Sequence, residues 1–106
     1  MDFYHSFQFL KQHPMFQNAF GECLDIAVVK VDPLTKRIED DSSRNTETAV
    51  WLECGEHAGP NEKYNYHDPR LDCGGRSFEE AIIKMASLVR KYYGGGSRYR
   101  GNNVER

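Results

Sequence analysis

Four residues in the second half of the chain have metal-binding chemistry. Cys54-x-x-His57, followed by His67 and Cys73, supplies the ligand types of a tetrahedral zinc site. The local pattern argues against that use. Alternation along residues 46–54 puts Cys54 on the same inward face as Val50 and Leu52, and Leu71 and Cys73 alternate inward in the same way. A buried free cysteine is ordinarily a small hydrophobe. His67 adjoins Asp68-Pro69 and is not part of a tight knuckle. The reading is therefore two core thiols and two loop histidines, with zinc on Cys54, His57, His67 and Cys73 as the minority alternative. No cofactor is expected.

Cys73-Gly74-Gly75-Arg76-Ser77 has the makings of an anion site, combining free amides, a flexible turn, a guanidinium and a hydroxyl at the mouth of a helix. Glycines between a strand and a helix also serve a turn with no ligand. Glu79 and Glu80 put negative charge on the first helical turn, so a structural turn is the expected case. For acid–base chemistry, the only suitable group is Glu53, Glu56, His57, His67 and Asp68. It lies on a loop and an expected edge strand, where solvent leaves such groups with ordinary pKa values. The chain has no serine elbow, Walker loop or zinc-protease helix, so a non-enzymatic protein is expected.

Two surfaces could bind a macromolecule. Trp51 shares its strand face with Glu47, Ala49 and Glu53, away from the apolar set, and the following loop adds His57, Tyr64, Tyr66 and His67. Exposed aromatics anchor protein partners because they bury large area at low entropy cost. The alternative is that Phe3 and Phe7 of an N-terminal helix cover Trp51 and make a second core. The other surface is basic: Arg90 and Lys91 at the end of the last helix, then Arg98 and Arg100 in a tail of glycine, arginine and tyrosine. Such a tail can stack on bases and neutralise phosphates. The formal charge of −2 adds no global attraction to nucleic acid.

The elements that must carry these residues follow from hydrophobic period. Phe3, Phe7 and Leu10 share one face of a short N-terminal helix that His13-Pro14 interrupts, and Met15, Phe16, Ala19 and Phe20 suggest a further turn or two. Residues 24–31 alternate with apolar side chains on both faces, the pattern of a central strand. Asp32-Pro33-Leu34-Thr35 reads as a turn into a return strand centred on Ile38. Residues 46–54 form the next strand, and residues 63–73 a fourth, broken at Asp68-Pro69. The last helix spans residues 77–93. Ser77 and Glu80 have capping-box spacing, and Phe78, Ala81, Ile82, Met85, Leu88, Val89 and Tyr92 lie on one face. Gly94 stops the helix.

The fold class is thus α+β, with a small antiparallel sheet of three or four strands packed on a C-terminal amphipathic helix, and a short N-terminal helical segment. A chain of 106 residues is expected to build one core: a domain over residues 1–94 and a flexible Gly/Arg tail over 95–106. Three cysteines, no leader-like segment and no long apolar run point to the cytoplasm and to no membrane. The run from Leu71-Asp72-Cys73-Gly74-Gly75-Arg76-Ser77-Phe78 to Ile82, with Val50-Trp51-Leu52-Glu53, resembles small uncharacterised proteins encoded by tailed phages and prophages. That resemblance implies an accessory protein that binds a host or phage component, as an inhibitor or regulator among other roles, and it carries over no catalytic residue. The expected function is a protein-binding module using Trp51, His57, Tyr64, Tyr66 and His67. Nucleic-acid binding through Arg90, Lys91, Arg98 and Arg100 is the alternative, and a small enzyme or zinc protein the third. Oligomeric state stays open, a homodimer included.

Overall fold

The computed structural model describes residues 1–55 and 67–95. In chain order they form α1 (Phe3–Gln12), a 3-10 turn (Pro14–Phe16), α2 (Phe20–Cys23), β1 (Leu24–Val31), β2 (Glu47–Cys54), a second 3-10 turn (Pro69–Leu71), β3 (Cys73–Gly75) and α3 (Phe78–Tyr93). The strands make one antiparallel sheet in the order β1-β2-β3. This is the α+β architecture expected from the sequence.

The register decides which side chains share a face. Leu24 pairs with Cys54, Ile26 with Leu52 and Val28 with Val50, while Cys73 and Gly75 of β3 lie opposite Leu52 and Val50. On this side α3 lies across the sheet, burying Ala81, Ile82, Met85, Ala86 and Val89 against Leu52, Cys54 and Cys73. Its ends are set locally. The Ser77 hydroxyl accepts the Glu80 N–H at 3.1 Å, and Glu80 reaches back to the Arg76 N–H at 2.8 Å. That satisfies two amides that would otherwise be orphaned. At the other end Gly94, at φ 79°, donates its N–H to Arg90. Helix and sheet meet closely at Gly75, where a Cβ would sit 2.7 Å from the backbone nitrogen of Ala81.

The N-terminal segment completes this core. The Asp2 carboxylate caps α1 by accepting the His5 N–H. Leu10, Met15, Phe16, Ala19 and Phe20 are buried in the same cluster as α3. Gln17 and Asn18, both left-handed, turn the chain between the 3-10 turn and α2. His13 pins the assembly. The Met15 N–H donates to its Nδ1 at 3.1 Å, so Nε2 carries the proton it gives to the Gly94 carbonyl at 3.1 Å. Burial pushes its pKa below the ordinary value, keeping the ring in this neutral form.

Several elements differ from the sequence reading. Among the described residues β1 is an edge strand, not a central one: Ile26 is 52% and Val28 73% exposed, because α3 covers β2 and β3 but does not reach this far. The return segment makes a single bridge, Ile38 to Val31, in place of a strand. Of the expected fourth strand, residues 63–66 lie outside the described residues. Pro69 opens a 3-10 turn, and among the described residues of that segment only Cys73–Gly75 pairs. The expected tail lies outside the described residues from position 96 onward. Among the described residues, no helix is long and apolar enough to cross a membrane.

Candidate functional site

The sheet face turned away from α3 carries the other half of each pairing. Asp25 lies opposite Glu53, Ala27 opposite Trp51 and Val29 opposite Ala49, and Gly74 of β3 flanks Trp51 on its other side. The absence of a side chain at Gly74 leaves room for the indole there; a Cβ would come within 2.8 Å of Trp51 Cε3. The indole N–H donates to Glu53 Oε2 at 3.0 Å, fixing the ring along the strand. Trp51 is half-buried in this position. Phe3 and Phe7 are not its cover. Their rings stack on each other at 5.6 Å and meet Phe78 edge-on, on the helix side of the sheet.

Beside Trp51 sits a polar cluster. Since Leu52 pairs with Cys73, the next residues outward, Glu53 and Asp72, are cross-strand neighbours. His67 bonds both oxygens of Asp72 through Nε2, at 2.9 and 3.1 Å. Donor atoms of Glu53, His67 and Asp72 all lie within 4.8 Å of one another. Burial, aided by the neighbouring Glu53, raises the Asp72 pKa above the ordinary carboxylate value against the lowering effect of His67. Two carboxylates side by side repel unless a cation or a proton stands between them. The cluster can therefore share a proton through His67 or receive a small cation, and it offers a partner a polar rim beside the indole.

Asp68, next in the chain, has a different role. Its buried carboxylate accepts from the Arg70 N–H, Nε and Nη2, and from the Tyr93 hydroxyl. It thereby fastens the second 3-10 turn to the end of α3. The Arg70 guanidinium holds its pKa well below the ordinary carboxylate value of 3.8. A carboxyl whose folded pKa is depressed stabilises the fold above its unfolded pKa and loses that contribution as pH falls through the folded one. Asp68→Asn is expected to lower stability at pH 7 by about 2 kcal/mol, since Arg70 is half in solvent and part of its interaction is screened. The variant should also show a shallower loss of stability below about pH 4. Urea unfolding at pH 7 and pH 3 checks both.

Other candidates fall elsewhere. Cys54 lies against Cys23, and Cys73 donates to the Ala81 carbonyl at 3.6 Å, both on the helix side, whereas His67 is on the opposite face. The described members of the zinc tetrad are thus not brought together. His57, Tyr64, Tyr66, Arg98 and Arg100 lie outside the described residues, as does Glu56. Arg90 is spread over the Phe9 ring at 4.8 Å and Lys91 approaches the Tyr92 ring at 5.2 Å, so both serve intramolecular contacts at the helix end. In the glycine turn, the Glu80 carboxylate takes the Arg76 amide that an anion would use. A cleft of about 310 Å³ adjoins this turn, lined in part by Lys36, Glu47, Arg76 and Lys84. Two of its cations are paired within the chain, Lys36 with Glu47 and Arg76 with Glu80.

Sequence reasoning picked out Trp51 and His67 but missed Asp72, which holds His67 beside Glu53, the carboxylate that Trp51 bonds. The signal was available: alternation through Cys73 turns Asp72 to the face of Trp51. The chain matches no protein-family model, no curated protein and no solved structure.

Proposed function

We propose that the chain is a non-enzymatic interaction protein that docks a protein partner on the sheet face opposite α3, with Trp51 as its anchor. The observation that carries this reading is the placement of the only tryptophan. It lies half-buried on the face that none of the described helices covers, held by Gly74 and Glu53. Ala27, exposed, and Val29, half-buried, continue the apolar surface from it over the buried Ala49, and Asp25, Glu53 and Asp72 lie on the same face. An apolar centre with an acidic rim suits a partner that presents an apolar knob ringed by basic residues. The edge of β1 ahead of Lys30, before the bridge from Ile38 to Val31, continues this surface, where a strand of the partner could add to the sheet. On the resemblance to tailed-phage proteins, the partner is a host or phage macromolecule.

Trp51→Ala is expected to leave the circular dichroism spectrum unchanged and to weaken partner capture by at least about 30-fold, the effect of losing a central aromatic anchor. Leu34→Ser, at a position 90% exposed on the hairpin, serves as the control that retains capture. Equal recovery of the partner by wild type and Trp51→Ala would sink the proposal.

A further inference from the structure

On the helix side of the sheet, two of the three cysteines face each other. Cys23 ends α2 and leads directly into β1, whose first residue, Leu24, pairs with Cys54; the Gly55 N–H donates to the Cys23 carbonyl at 2.9 Å. The backbone thus brings the two side chains together, and their Sγ atoms are 2.6 Å apart. That is well inside the roughly 3.5–4.0 Å of ordinary contact between uncharged heavy atoms. Both are free thiols and each is only 3% exposed.

We propose that Cys23 and Cys54 form a redox pair that a peroxide converts into an intramolecular disulfide, fastening the N-terminal segment to the sheet. The roles follow from the contact. The Cys23 thiol donates to the Phe20 carbonyl at 3.5 Å, which leaves the Cys54 thiol to donate to the Cys23 sulfur; that contact holds the Cys23 pKa down and pushes that of Cys54 up, so Cys23 is the first to ionise. The Cys23 thiolate attacks one oxygen of the peroxide. The O–O bond breaks, and the departing oxygen leaves as water after taking up a proton, leaving Cys23 as the sulfenic acid. The Cys54 sulfur then attacks the Cys23 sulfur and gives up its proton as the S–O bond breaks and a second water leaves. The proton taken up by the departing oxygen balances the one Cys23 gave up; two thiols have lost two electrons in all, and one hydrogen peroxide has become two waters.

Access is local. α2 is four residues long with no side-chain cap, and its Gly21 faces open space, so this turn is the place where local opening costs least and through which the peroxide would reach the sulfurs. Cys73 stays out of the reaction. Its sulfur bonds the Ala81 carbonyl, and burial pushes its thiol up to about 12.

The test uses the full-length chain treated with one equivalent of hydrogen peroxide, then unfolded and alkylated. The expected product has lost two hydrogens, carries one alkyl group, at Cys73, and yields a cross-linked peptide pair containing Cys23 and Cys54. A cross-link closing a loop of this length should raise the thermal midpoint by roughly 10 °C or more, reversed by a dithiol reductant. Cys23→Ser should abolish both the mass loss and the shift. Three alkylated cysteines after treatment, a disulfide through Cys73, or stepwise addition of oxygen without cross-linking would each overturn the proposal. Since wild type alone decides among these outcomes, the test does not depend on the variant folding.

Discussion

Gly75→Ala is expected to destabilise the domain by about 3 kcal/mol and to lower its thermal midpoint by about 12 °C or more. The added methyl would sit 2.7 Å from the Ala81 nitrogen and 3.0 Å from the carbonyl carbon of Glu80. These are backbone atoms of the first turn of α3, fixed by the Ser77 cap and by the bond from Glu80 to Arg76. Relief requires α3 to move off the sheet, and with it the buried contacts of Ile82 and Met85. Gly74→Ala is the informative contrast. The three atoms nearest its methyl are side-chain atoms, two of the Trp51 ring and Ala49 Cβ. The fold should hold while the indole is displaced, visible as a change in tryptophan fluorescence. Thermal melts of the two variants check the difference; equal melts would contradict the assignment of Gly75 to the helix contact.

Phe16→Ala is expected to cost about 4 kcal/mol, the range for removing a fully buried aromatic ring. Phe16 has no exposed surface and packs edge-on to Phe20 at 5.0 Å, within the cluster that includes Leu52 and Met85. A loss of that size would show that residues 15–23 are part of the one core. If the segment were an accessory arm, the cost would fall below about 1 kcal/mol. Denaturant unfolding followed by circular dichroism distinguishes these outcomes, and an unchanged slope would confirm that the variant still unfolds as a single unit.

How much of this was legible in the sequence depends on the range of the interaction concerned. The last helix could be read almost to the residue, because Ser77, Glu80, the apolar stripe and Gly94 are local signals that act within one or two turns. β2 was legible for the same reason, its alternation placing Leu52 and Cys54 inward and Trp51 outward. β1 was misjudged as central. Apolar residues on both faces usually mean burial on both, but Ile26 and Val28 lie beyond the reach of α3, and strand order is not written in a strand's own pattern. The destination of the N-terminal aromatics was equally hidden. Their spacing gave a face, but only tertiary packing sends Phe3 and Phe7 to Phe78 and leaves Trp51 uncovered by them. The His67–Asp72–Glu53 cluster and the contact between Cys23 and Cys54 both depend on register across the sheet, which no local window contains.

The central claim is that the face opposite α3 is the one that meets a partner. It is tested most directly by a photoreactive residue placed at one of two exposed sites: Ala27, on that face beside Trp51, and Ser87, on the outer side of α3. On irradiation in extract of the source cell, position 27 should give a discrete protein adduct that is lost in the Trp51→Ala background, and position 87 should give none. An adduct formed equally from position 87, or one from position 27 that survives Trp51→Ala, would contradict the account.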